Sequence, residues 1–164
     1  MVSDMAQNEP FLPPRPVIRA AWRAHRALYR VSKGRLGLRD YQDGTEGLAQ
    51  LTTTGRRSGE PRNVMIAYFD DGDDFVTMAM NGWDVADPAW WLNLQANPNA
   101  MLTTTAGDVP VTGRAAVGDE STRLWDRWRE LDHNIDKYSG LRTEGTPVVI
   151  LSPQARPEVA HREG

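Results

Sequence analysis

The 164-residue chain contains no cysteine, which removes disulfide frameworks, thiolate metal sites and cysteine nucleophiles together. No apolar run approaches the roughly 18 uncharged residues that a membrane-spanning helix needs. The first fourteen residues are polar and acidic without an apolar centre. No secretory signal is therefore expected, and the cytoplasm is the expected compartment. His25, His133 and His161 lie far apart and form no HExxH or paired pattern, so no metal site is expected. No GxSxG elbow offers a hydrolase serine. The stretch Gly55-Arg56-Arg57-Ser58-Gly59 spaces its glycines too closely for a P-loop, and no Lys-Ser/Thr follows. What remains is a chain of ordinary globular composition, 40% hydrophobic and 25% charged, long enough for one domain with a sizeable core.

The charge is unevenly placed. Arg15, Arg19, Arg23, Arg26, Arg30, Lys33, Arg35 and Arg39 are eight basic residues in a window without an acid, leaving 11 basic against 22 acidic residues elsewhere. Such asymmetry points to a partner surface at the basic end.

Four prolines in residues 1–16 block regular structure, and an extended or disordered arm is expected there. Residues 17–39 form a basic amphipathic segment. Ile18, Ala21, Trp22, His25, Leu28 and Tyr29 repeat at helical spacing to about Lys33, with arginines on another face. Short strands separated by turn residues follow at 48–54, 63–69, 74–80, 100–105, 109–117 and 146–151. Asp87-Pro88 reads as a helix start, with Asp87 as N-cap and Pro88 at the first helical position, and this helix stops near Asn97-Pro98. Residues 119–138 give the strongest helical signal, through Leu124, Trp128, Leu131 and Ile135. The expected fold is α+β: a six-stranded antiparallel split β-barrel over residues 40–153 with the N-terminal helix and two further helices, then a frayed tail at 154–164.

Two stretches bear on chemistry. The first, Thr52-Thr53-Thr54-Gly55-Arg56-Arg57-Ser58-Gly59-Glu60-Pro61-Arg62, puts three arginines on one tight turn among hydroxyl groups and glycines. Glycines let backbone N–H groups approach an anion, and arginines supply planar charge-assisted forks. A hairpin turn needs glycine but does not need three arginines, so an anion site is favoured over a solvated turn. The second, Met80-Asn81-Gly82-Trp83 followed by Asp87-Pro88-Ala89-Trp90-Trp91-Leu92-Asn93-Leu94, sets a polar strand end before a helix N-terminus, where exposed N–H groups favour an anion or carbonyl. Trp90 and Trp91 are adjacent and cannot share one helix face, so one is expected in the core and the other over a barrel mouth. Trp125 and Trp128 are expected in the core.

These stretches, joined by Thr146-Pro147-Val148-Val149-Ile150-Leu151-Ser152-Pro153, resemble the deazaflavin-dependent nitroreductase family, in order and spacing, over about two thirds of the chain. The resemblance implies a split barrel like that of FMN-binding proteins and coenzyme F420 as hydride carrier. It implies that Arg56, Arg57, Ser58 and Arg62 hold the phosphate and acidic tail. Asn63, Val64, Met65, Ile66 and Ala67 would line the coenzyme, Met78, Ala79, Met80 and Asn81 would back its ring, and Ala89, Trp90, Trp91, Leu92 and Asn93 would complete the pocket. The implied reaction passes a hydride from reduced F420 to a quinone, activated alkene or nitro compound, while the protein positions and shields the coenzyme. Other members carry serine, a polar or basic residue and two glycines in place of Met80-Asn81-Gly82-Trp83, and several tyrosines where this chain keeps Tyr138. These departures bear on the acceptor more than on the coenzyme. Tyr138 is a candidate proton donor, with pocket lining the simpler role.

An FMN- or haem-using protein on the same barrel, and a non-catalytic F420 carrier, are the rival readings. For the basic helix, packing on the barrel comes first. Attachment to an anionic membrane surface through residues 17–33, at the inner face of the membrane, comes second. Nucleic acid is not expected, because no nucleic-acid fold accompanies the charge.

Overall fold

A computed structural model of the chain describes residues 37–80 and 86–155, together with Pro16 and Ala20, both helical and exposed. The chain divides into two units, Met1–Leu36 and Gly37–Gly164. The arm and most of the basic helix expected before the second unit lie outside the described residues. Arg39, at the end of that segment, is already extended and bridges Leu48.

Six strands form the second unit: β1 (Gly47–Thr54), β2 (Pro61–Asp71), β3 (Asp74–Met78), β4 (Asn99–Thr104), β5 (Gly107–Ala115) and β6 (Val148–Pro153). Their order is β1-β2-β3-β6-β5-β4, closed by a ladder between β4 and β1, and every ladder is antiparallel. Closure leaves the sheet without a free outer edge strand. Alternation does the sorting along β1, where Ala49, Leu51 and Thr53 are buried and Leu48, Gln50 and Thr52 are half-buried. β6 departs from alternation, since Val148, Val149, Ile150 and Leu151 are all buried. Val149 and Leu151 join the cluster that includes Leu51, Leu102 and Val111, while Val148 and Ile150 join a second cluster with Leu124, Trp128 and Ile135. A strand covered on both faces reads as a continuous apolar run.

Three helices occur among the described residues: α1 (Ala89–Ala96), α2 (Gly118–Leu131) and α3 (Ile135–Ser139). α2 and α3 cover the outer face of β6 and β3, with Trp128 packed edge-on to Phe69 at 5.1 Å between ring centroids. α1 turns one side into the barrel's interior cluster and leaves Ala89, Gln95 and Ala96 exposed. Trp90, Trp91 and Leu94 are buried in the same cluster as Leu51 and Val111. Gly113 on β5 admits this helix, because a Cβ there would lie 2.9 Å from Leu94 Cδ1. Among the described residues no helix is long and apolar enough to cross a membrane.

Four local expectations change. Trp90 and Trp91 are both core residues, each 6% exposed and meeting edge-to-face at 6.4 Å; the interior cluster takes both adjacent rings of the helix. Pro88, not Asp87, occupies the N-cap of α1, and no side chain caps it, because the Asp87 carboxylate accepts from Arg142 instead. The single helix expected at 119–138 breaks at Asp132, whose carboxylate accepts the Asn134 N–H. The break lets Asp136 fold back to accept from the Trp125 indole at 2.9 Å and from Arg129 at 2.8 Å. Val117 does not continue the inward alternation of β5: the strand ends at Ala115, and Val117 is 72% exposed at the cap of α2.

Candidate functional site

The β1–β2 turn is held by its own backbone. Gly55 N–H donates to the Glu60 carbonyl and Gly59 N–H to the Gly55 carbonyl, both at 2.8 Å. Gly59 has φ +70, a conformation that a side chain would strain. Ser58 Oγ accepts from the Glu60 N–H at 3.2 Å and from Arg62 Nη2 at 3.3 Å. The turn is also fastened to α1. Buried Asn93 accepts through Oδ1 from Arg56 N–H at 3.1 Å and Arg56 Nη1 at 3.2 Å, and donates through Nδ2 to Thr53 Oγ1 at 3.1 Å. One buried amide therefore sets the helix, the strand and the arginine turn relative to one another.

Electrostatics set this turn apart. Arg39, Arg114, Arg123, Arg127, Arg129 and Arg142 each form an ion pair with a carboxylate. Arg56, Arg57 and Arg62 have no carboxylate partner among the described residues, and all three are exposed. The paired set leaves its mark on its partners. Hydrogen bonds from Arg123, Arg114 and Arg129 hold the carboxyls of Asp71, Glu120 and Asp136 below the ordinary carboxylate range. Three exposed guanidiniums therefore stand on a fixed turn without an ion pair among the described residues, and Glu60 beside them makes none there either.

Beyond the turn, β2 and β3 part. The ladder of β2 with β1 runs to Thr54↔Pro61, whereas its ladder with β3 stops at Phe69↔Val76. The next carbonyl, that of Ala67, accepts from the Thr77 hydroxyl at 2.7 Å. Because N–H and C=O groups alternate sides along a strand, those of Met65 and Asn63 turn to the same open side as the Ala67 carbonyl. They face no strand among the described residues.

The other sequence-predicted residues fall into distinct places. Val64 and Ile66 belong to the barrel interior, Ile66 being 6% exposed, while Ala67 packs with the outer cluster. Met78 is buried in the outer cluster, Ala79 in the interior, and Met80 is half-buried at the strand's end; Asn81 lies outside the described residues. On α1, Ala89 is exposed, Leu92 half-buried, and Trp90, Trp91 and Asn93 buried. Arg56, Arg57, Ser58, Arg62, Asn63 and Met65 lie on the turn and the adjoining stretch of β2. Tyr138 is half-buried on α3.

A family model for F420H(2)-dependent quinone reductases matches residues 21–153. The chain belongs to this family. An F420H(2)-dependent quinone reductase of Mycobacterium tuberculosis (strain ATCC 25618 / H37Rv) is 31% identical over 135 residues, covering 79% of this chain and 88% of the relative. A solved F420-H2 dependent reductase superimposes with a TM-score of 0.58 at 26% identity, over 64% of this chain and 93% of that one. The haem storage protein HutZ of Vibrio cholerae, 12% identical with a TM-score of 0.51 over 77% of this chain and 89% of its own, shares the barrel alone. The activity of the family is F420H2-dependent quinone reduction, on a split barrel.

Within this family member, sequence reasoning passed over a residue that joins the segments just past β3, just before β6 and just before α1. Arg142 is buried and its side chain is 0% exposed. It donates to the Ala79 carbonyl at 2.5 Å, to Thr146 Oγ1 at 3.2 Å and to Asp87 Oδ1 at 2.6 Å. In sequence it is one charge in a Gly-rich stretch, with no periodicity to mark it as buried. A separate cleft of about 610 Å³ lies along α2, lined by Asp71, Asp119, Asp126, Glu130, Arg123, Arg127 and Thr122. Its carboxylates outnumber its guanidiniums, and both arginines are already paired, so it does not suit a polyanionic coenzyme.

Proposed function

We propose that the exposed turn carrying Arg56, Arg57, Ser58 and Arg62 holds the phosphate and acidic tail of coenzyme F420. In this reading the open side of β2 at Asn63–Ala67 and the end of β3 receive the deazaflavin ring. The first turn of α1 completes the pocket: no side chain caps it, and the N–H groups at a helix start suit an anion or carbonyl. The observation that carries the proposal is the contrast among the arginines. Six are neutralised by carboxylates, and the three on this turn are not. A coenzyme with a phosphate and a polyglutamate tail matches that surplus.

Bound reduced F420 supplies the hydride, and a quinone accepts it; activated alkenes and nitro compounds are further acceptors of the same electron-poor class. The protein's own part is alignment and exclusion of water. Asn93 holds the arginine turn in register with α1. Tyr138, half-buried on α3, supplies the pocket wall or a proton.

The test is a parallel titration with F420, FMN and haem, followed by mixing with reduced F420 and menadione. F420 should bind in preference, and the oxidised deazaflavin absorbance should return, with NADPH unable to substitute. Binding without turnover across quinones, enones and nitroarenes points to a carrier; absence of F420 binding overturns the proposal. The membrane-surface role of residues 17–33, at the cytoplasmic face, is supported by the acid-free basic window. Deleting residues 1–34 should abolish pelleting with anionic vesicles and leave F420 affinity intact; insoluble truncated protein favours a helix packed on the barrel.

A further inference from the structure

Arg142 sits where three segments of the fold meet. Its guanidinium reaches the Ala79 carbonyl just past β3, Thr146 just before β6, and the Asp87 carboxylate just before α1. Ala79 N–H in turn donates to the Pro147 carbonyl at 2.9 Å. A guanidinium with no exposed side-chain surface is retained only when its charge and donors are met. Here the charge is met by Asp87, whose own side chain is 30% exposed, and Nε remains without a partner among the described residues. Ala79 and Asp87 are eight positions apart and bound the connection from β3 to α1. One buried cation thus ties together the two elements on either side of that connection.

The link extends further. Asp87 leads through Pro88 into α1, and α1 carries Asn93, which holds Arg56 and Thr53. From this geometry we infer that Arg142, through its ion pair with Asp87, is a positioning residue for the coenzyme. It fixes the start of α1 against the end of β3, and through Asn93 it keeps the arginine turn in place. The inference rests on the F420 reading above. Arg142 touches neither coenzyme nor acceptor; it acts through Asp87 and the helix.

The experiment uses the full chain carrying Asp87→Asn, which keeps the shape of the side chain and removes the ion pair, alongside Arg142→Met and Arg142→Lys. F420 affinity is measured by titration, quinone KM at saturating reduced F420, and amide hydrogen exchange in the free protein. In Asp87→Asn the Kd for F420 should rise at least tenfold with quinone KM within about twofold. Exchange at residues 86–92 should quicken about tenfold while β4 and β5 stay protected. Arg142→Lys should recover part of the affinity that Arg142→Met loses, and Asp87→Asn combined with Arg142→Met should bind no worse than Arg142→Met alone. If Arg142→Met does not fold, Asp87→Asn carries the test by itself. Faster local exchange with unchanged F420 affinity makes the pair a structural brace and overturns the inference, as does unchanged exchange. Wild-type protein that binds no F420 overturns the functional reading, and this role with it; wild-type binding that the variant keeps overturns this inference alone.

Discussion

The two arginine-rich surfaces of the barrel use the same side chain for opposite ends. On α2, Arg123 and Arg129 reach Asp71 and Asp136, and near its start Arg114 on β5 reaches Glu120. Their charge is spent within the fold, and exposed pairs of this kind contribute little to stability. On the β1–β2 turn, Arg56 and Arg62 hydrogen-bond only neutral groups, an amide oxygen and a hydroxyl, and Arg57 has no partner among the described residues. Hydrogen bonding to neutral oxygens orients a guanidinium without cancelling its charge. The difference separates arginines whose charge is paired within the fold from arginines whose charge is not, and the proposed coenzyme site rests on the second group.

The strongest way to break this contrast is charge reversal on the turn. Arg57→Glu should weaken F420 binding tenfold or more, since one charge-assisted hydrogen bond contributes about 1.5–3 kcal/mol and the new carboxylate adds repulsion. Arg123→Glu on α2 should leave that affinity within about twofold. The wild-type affinity should also fall as salt rises, because the turn is exposed. Equal losses in both variants, measured by titration at one ionic strength, would erase the distinction.

Asn93→Ala sharpens the comparison from beneath. It deprives Thr53 and Arg56 of a buried partner, so stability should drop by about 1–3 kcal/mol in denaturant melts. F420 affinity should drop several-fold as well, because Arg56 loses its anchor. A variant with lower stability and wild-type affinity would mean that Arg56 needs no orienting.

The smallest effect belongs to Arg123→Ala, expected to shift Tm slightly and F420 affinity not at all. Its pH dependence is specific. Arg123 holds the Asp71 carboxyl below its ordinary value of 3.8, so the folded state binds fewer protons than the unfolded state in that range. The stability so contributed is present above the ordinary value and is lost as pH falls through the depressed one. Wild-type and variant melting curves should differ at neutral pH and converge in acid; a gap that widens in acid would contradict this assignment.

Much of the barrel was legible because it depends on local signals. Each of the six strands lies where alternation and turn residues place it, and the apolar run at Val148-Val149-Ile150-Leu151 marks the strand buried on both faces. The arginine turn was legible too, because arginine clustered on a glycine-bearing turn is a compositional anomaly that no packing demand explains. Boundaries were less so. The helix read as one piece from 119 to 138 breaks at Asp132 because Asp136 has partners on the preceding helix, and a periodicity cannot register a side chain that folds back.

By itself the sequence determined the six strands, their closed antiparallel sheet, the helical stretches after Pro88 and after Gly118, and the charged turn with its family resemblance. Only the tertiary structure decided which arginines are neutralised, since the partners of Arg123 and Arg142 lie 52 and 55 positions away. It decided that Trp90 and Trp91 are both core, because α1 packs both rings into the interior cluster while its solvent face falls to Ala89, Gln95 and Ala96. It also decided that Asp87 serves Arg142 rather than capping α1. A buried guanidinium leaves no periodic trace, and its carboxylate is chosen by distance in space, which one-dimensional spacing does not encode.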